Sequence, residues 1–218
     1  MAVLAALGSG YLTGLAAAAM GQIAAGWVAA SRRVAGPALA ALAAIGVMTG
    51  PLVPVHVAPP EAVVRAWPDM PTALLHRLYI WSFTAERITE QPWRGWGMNA
   101  SRALPGGNDD IGRVEGHVEQ PVLADRLPLH PHNAALQAWV ELGVIGAAAL
   151  AGIAALAMWV ASHRRLSRSA AALASGQTAC ALAMAASSYG LWQSWWLLSL
   201  GLATAVSVAV LSETADPG

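Results

Sequence analysis

Three stretches run for the length of a membrane crossing without one charged residue: Ala2 to Ala30, Val34 to Val57 and Leu191 to Leu211. A transmembrane helix needs about 20 mainly apolar residues, so each is predicted to span a bilayer. Two further stretches follow with small departures. Ala134 to Ala161 carries one acid, Glu141, and Ala170 to Ser188 is uncharged but diluted by Ser, Gln and Thr. The pattern predicts an all-α polytopic membrane protein of about five transmembrane helices. Ala, Gly and Ser are as prominent in these spans as Leu and Val, which suits helices packed closely on one another. Pro51 and Pro54 are expected to kink or unwind the end of the second span.

Between the second and third spans the pattern changes. From Pro71 to Glu90 apolar residues fall at Leu74, Leu78, Trp81, Ala85 and Ile88, a spacing that predicts an amphipathic helix over 71–90. Arg77 borders the apolar face, four residues before Trp81, whereas His76, Arg87 and Glu90 fall on its wet side. Gln91-Pro92-Trp93-Arg94-Gly95-Trp96-Gly97 then reads as a turn whose tryptophans anchor at the membrane interface. Leu104 to Asp125, with Pro105-Gly106-Gly107-Asn108-Asp109-Asp110, reads as a mobile loop over the site.

Arginine in short loops marks the cytoplasmic side. Ser31-Arg32-Arg33 and Ser162-His163-Arg164-Arg165-Leu166-Ser167-Arg168 agree on one orientation. The expected organisation is two transmembrane helices in 1–57, a periplasmic loop over 58–131 holding the amphipathic helix, three transmembrane helices in 132–211 and a cytoplasmic tail over 212–218. Met1 then lies outside, with no basic leader segment and no cleavage signature. The reading that follows is a C-terminal portion of a longer polytopic protein, or a reading frame that begins upstream of Met1.

Composition narrows the classes. The chain is 56% hydrophobic and 11% charged, against about 25% charged for a soluble domain. Twelve basic and twelve acidic residues cancel, so no basic field exists to hold nucleic acid. The single cysteine, Cys180, forms no intrachain disulfide and no CxxC motif.

The strongest local signal is Leu129-His130-Pro131-His132-Asn133, where the polar block meets the third span. Asn133 is a good N-cap, so His132 stands just ahead of the helix at its positive end, a place that attracts phosphate and disfavours an imidazolium. A neutral His132 can accept the proton of a sugar hydroxyl as a general base. Asn133, Gln137 and Glu141 recur every four residues as a polar stripe facing the bundle interior or a wet cavity. Two other readings stay open on the residues alone: both histidines hydrogen-bonded in a purely structural role, or a metal site of His130 and His132 with His117 or Asp125, which lacks any HExxH partner set. The solvated or headgroup-contacting role is the default for Arg65, Arg102, Arg113 and Arg126.

These residues resemble the O-antigen ligase and polymerase family of bacterial membrane proteins. His132-Asn133, nine residues, Gly143, two residues and Gly146 are similar to the ligases' motif of His, then Asn, Ser or Gln, nine residues, Gly, two residues, and Gly, Thr or Tyr. Arg77, Trp81, Pro92, Gly95 and Gly97 resemble the family's Arg-x-x-x-Trp helix and Gly-x-Gly turn, and Ser187 to Leu198, with Leu191-Trp192-Gln193, its last outer turn. The resemblance implies a fold related to the GT-C glycosyltransferases in the bacterial inner membrane. It implies transfer of a glycan from an undecaprenyl diphosphate carrier to a hydroxyl, on lipid A core sugar in ligases, on another glycan in polymerases, or on protein in O-oligosaccharyltransferases, with no metal, nucleotide or other cofactor. Carried over by position, His132 is the base and Arg77 the diphosphate clamp, with Arg87, Asn133 and His130 as substrate-binding residues. Members have about twice as many spans and a further arginine in an earlier outer loop. The rival class is a non-enzymatic scaffold or transporter subunit in which His132 only caps a helix.

Overall fold

The computed structural model describes residues 11–111 and 125–213, and every regular element among them is helical. The α-helices are α1 (Tyr11–Thr49), α2 (Pro60–Ala66), α3 (Thr72–Glu90), α4 (Ala134–Ala161), α5 (Arg168–Ala185) and α6 (Ser194–Glu213). A π-helical turn covers Val53–Val57 and a 3-10 turn Ala100–Ala103. His117 and Arg113 lie outside the described residues.

Straight, the 39 residues of α1 would reach about 58 Å. Instead α1 breaks at Ser31 (φ −153°, ψ 77°) and folds back on itself. In the first arm, Gly21 packs on Gly176 so closely that a Cβ would come 2.7 Å from its carbonyl oxygen, and Val28 meets Ala171. The second arm starts beside the same Ala171 at Ala35, passes Ser162 at Gly36 and reaches Ala135 at Gly50. The break falls on the polar Ser31-Arg32-Arg33, whose charges resist burial between Ala-rich arms. The α-helix ends at Thr49, before Pro51 and Pro54, in keeping with their lack of a backbone donor.

Thr13–Thr49 and Ala134–Ala161 are long and apolar enough to cross a membrane, and Ser194–Ala209 is a shorter apolar helix. α1, α4 and α5 form the bundle, and α6 touches it more sparsely.

α3 matches its predicted limits within a residue, but its buried face is Leu75, Ile80, Phe83, Thr84, Ala85 and Ile88. Leu74, Leu78 and Trp81 are only half-buried. The displacement follows from packing on two sides: Ile80, Phe83 and Ile88 share a core with Leu136 and Val140 of α4 and with Leu104 and Leu127 of the polar block. That packing also corrects one expectation for the 91–97 turn, whereas the mobile-loop reading of 104–125 falls mostly on 112–124, outside the described residues. Trp96 joins this core, with its indole N–H on the Arg87 carbonyl at 2.9 Å, so it is no membrane anchor, while Trp93 is exposed. The described ends of the 104–125 loop are pinned, Leu127 N–H to the Gly107 carbonyl at 2.8 Å and Arg126 N–H to that of Asp109 at 2.9 Å.

Candidate active site

α4 changes direction at Gly143 (φ 65°, ψ −161°), a conformation that only glycine adopts without strain. The break opens the helix ladder, and the Pro92–Gly97 turn closes it. Trp96 N–H donates to Val140 O, Gly97 N–H to Glu141 O, and Val144 N–H to Pro92 O, each at 2.8 Å. The backbones touch: a Cβ on Gly143 would sit 2.4 Å from the Trp93 backbone, and one on Gly95 2.4 Å from that of Glu141. The glycines of the two motifs are thus two halves of one joint.

One turn nearer the helix start, the polar stripe points inward. Glu141 is fully buried, and its carboxylate accepts from Asn99 N–H (2.8 Å), Ser101 Oγ (2.6 Å), Gln137 Nε2 (3.0 Å) and Trp192 Nε1. Four donors satisfy a charge that would otherwise be costly to bury. Gln137 Oε1 in turn accepts from Leu191 N–H at 2.7 Å. The stripe therefore ties the 99–101 turn and the 187–193 turn to the start of α4.

Asn133 caps α4 as expected, its Oδ1 accepting from Leu136 N–H at 3.1 Å. His132 just before it has φ 54°, in the left-handed region, a conformation that costs on the order of 1–3 kcal/mol and persists where its surroundings enforce it. Two contacts do so. Its N–H donates to His130 Nδ1 at 3.1 Å, and its own Nδ1 lies 2.8 Å from the Ser188 carbonyl oxygen. A carbonyl only accepts, so Nδ1 carries the proton and Nε2 keeps its lone pair. Burial holds the His132 pKa below the ordinary value, the charges of Arg77 and His76 push it the same way, and the Ser188 bond opposes them. The ring is a neutral base whose accepting nitrogen takes no hydrogen bond among the described residues.

His130 is buried at 7% exposure, its ring 4.3 Å from that of His132 and closely packed on Gly190. Its Nδ1 accepts from His132 N–H, and its Nε2 lies 3.2 Å from Gln193 Nε2. Burial pushes its pKa down to about 4, helped by the charges of His132 and Arg102 and opposed by Glu141.

Arg77 is brought to the same place by α3, whose Trp81 indole donates to the Pro131 carbonyl at 2.9 Å. Its Nη1 donates to Thr13 Oγ1 of α1 at 3.3 Å, and burial lowers its pKa. Among the described residues the ion pairs are Arg87 with Glu90 at 2.8 Å and Arg126 with Glu86 at 3.8 Å, so Arg77 has no carboxylate partner there. Arg87 sits ten residues on, about 15 Å along the helix axis, paired with Glu90 and over the Phe83 ring. The structure thus gathers His132, His130, Asn133 and Arg77, and sets Arg87 apart. No three of the described His, Cys, Asp and Glu residues converge to hold a metal.

Sequence reasoning held Ser188 and Gln193 only as part of the 187–198 turn and gave His76 no role at the site. His76, expected on the wet side, has Nε2 3.0 Å from the Asp125 carbonyl, because the polar block folds over that flank of α3. Its one signal was its place beside Arg77. The carbonyl of Ser188 leaves no trace in a sequence.

The family described as O-Antigen ligase matches residues 1–151, and the chain belongs to that family. Relatives named "Putative polysaccharide ligase" occur in Rickettsia. The Rickettsia prowazekii protein is 30% identical over 165 residues, 72% of this chain and 38% of the relative. The Rickettsia conorii protein is 36% identical over 109 residues, 48% of this chain and 25% of the relative. The chain thus spans less than half the length of the curated relatives it matches. No solved structure matches it.

Proposed function

We propose that the chain carries the transfer site of a polysaccharide ligase, in which a glycan moves from an undecaprenyl diphosphate carrier to an acceptor hydroxyl, with lipid A core as the ligase-type acceptor. The observation that carries this reading is one neutral histidine with an available Nε2 beside one half-buried arginine lacking a described carboxylate partner. His132 Nε2 takes the acceptor's hydroxyl proton as its oxygen bonds to the anomeric carbon. The bond from that carbon to the diphosphate oxygen breaks, and the lipid diphosphate leaves with the electron pair. Arg77 holds the negative charge that develops there. The leaving group is already good, so positioning and charge stabilisation supply most of the rate. Asn133 orients the base through the helix cap, and His130 fixes its backbone; Arg87 is a more distant contact for the glycan or diphosphate.

An apolar cavity of about 450 Å³ supports a lipid-linked donor. It starts at Trp81 and Asn133, below the histidines, and continues between α1, α4 and α5 past Val47, Leu150 and Leu182. In the topology that goes with this reading, the two arms of α1 and helices α4, α5 and α6 are five spans of the inner membrane, and 58–131 is periplasmic. Titrating a polyprenyl diphosphate into the detergent-purified chain tests the clamp: wild type binds, Arg77→Lys binds more weakly and Arg77→Ala loses binding. Equal binding by all three would refute it.

A further inference from the structure

The far end of the bundle holds a polar cavity that transfer chemistry does not use. Past its break at Gly143, α4 continues to Ala161, about 27 Å, so this end lies close to a hydrocarbon-core thickness from His132. The cavity has a volume of about 260 Å³ and is lined by Arg32, Arg33, Trp159, Ser162, His163 and Arg164, among others. Two tips form it: the fold-back of α1 at Ser31 and the link from α4 to α5.

The tips are fastened by Arg32, whose Nη1 donates to the Leu166 carbonyl at 2.7 Å. Arg33 and Arg164 remain exposed. His163 Nδ1 accepts the Arg165 N–H at 3.2 Å, so its Nε2 carries a proton and is a donor. The second arm of α1 restarts after Ser31, so its positive dipole end lies here too.

Among the described residues no carboxylate pairs with these arginines. The sequence has no acid from Ser31 to Pro60 or from Leu142 to Ser212, and Glu213 in the last turn of α6 is the first acid beyond. Both described ion pairs involve an acid of α3, in the other half of the molecule. One wall of the cavity is apolar: Trp159 lines it and is 49% exposed, and its chain neighbours Leu156 and Val160, with Val34 next to Arg33, are exposed. Cations above an apolar wall with an interfacial tryptophan suit a phosphate that carries acyl chains, and a free phosphate would leave that wall unused.

We propose that this cavity binds the phosphate head group of an anionic phospholipid, with its acyl chains along Val34, Leu156 and Trp159. The test is thermal melting of the full chain in nanodiscs of phosphatidylcholine with and without phosphatidylglycerol, and in detergent with inorganic phosphate. Phosphatidylglycerol is expected to raise Tm for wild type and for Arg33→Lys/Arg164→Lys, and to leave Arg33→Gln/Arg164→Gln unmoved. Inorganic phosphate is expected to have no effect. An equal rise in the Gln variant, or none in wild type, would overturn the proposal, and an equal rise with inorganic phosphate would overturn the lipid assignment. Native mass spectrometry gives a check that survives misfolding of the double variant. Wild type extracted from mixed lipid should retain phosphatidylglycerol over phosphatidylcholine, and no preference would refute the site.

Discussion

His132 Nδ1 lies 2.8 Å from the carbonyl oxygen of Ser188, a residue 56 positions along the chain. The contact sets the tautomer of the ring and leaves Nε2 as its accepting atom. It also makes the base depend on the 187–193 turn, which Gln137 and Glu141 hold in place through Leu191 and Trp192.

The rate should respond to pH through this ring. In the proposed transfer the neutral form is the base, and burial with Arg77 and His76 lowers its pKa, so the acidic limb of kcat/KM belongs below the ordinary histidine value of about 6.5. A limb at or above that value would show that the ring is not held neutral.

His130 is expected to act through its Nδ1, the acceptor for His132 N–H. Asn places an oxygen near that position, whereas Gln places one near Nε2. His130→Asn should therefore keep most of kcat, while His130→Gln and His130→Leu lose it with little change in KM. A histidine that contacted substrate would shift KM in all three.

Stability should also fall on acidification. With a folded pKa of about 4 against about 6.5 unfolded, His130 takes up its proton more readily in the unfolded chain. Its contribution is complete above 6.5 and is lost as pH falls toward 4. Melting wild type and His130→Asn across that window should show a steeper decline for wild type.

The joint at Gly143 makes a steric prediction. Gly143→Ala combines a positive φ with a Cβ 2.4 Å from the Trp93 backbone, about 1–3 kcal/mol for strain and a similar overpacking cost. Gly95→Ala meets the same obstacle from the other side. Gly97 has φ +109° but nothing within 4 Å of a Cβ, so Gly97→Ala should carry strain alone and lower Tm less. Equal Tm losses at Gly97 and Gly143 would contradict the joint.

The parts of the molecule that the sequence revealed are those set by local chemistry. Ser31-Arg32-Arg33 marked the fold-back because charges leave an apolar core, and Asn133 marked the start of α4 because its side chain caps the next turn. The period of α3 located the helix but misjudged its buried face, because Leu104 and Leu127 arrive from distant chain. Arg77 and His132 were legible as residues; the contacts that tune them were not. Ser188 contributes a carbonyl that every residue has. Glu141 was legible as part of an inward polar stripe with Gln137, but its donors at Asn99, Ser101 and Trp192 come from distant chain and were not.

The central claim is that His132 Nε2 is the base for glycan transfer. The direct measurement is transfer from an undecaprenyl diphosphate-linked glycan by wild type and His132→Ala, each checked by circular dichroism and melting. The account predicts a loss on the order of 10²–10⁴-fold in the variant with its helical signal intact. Transfer by a folded His132→Ala protein within a few-fold of wild type would contradict it.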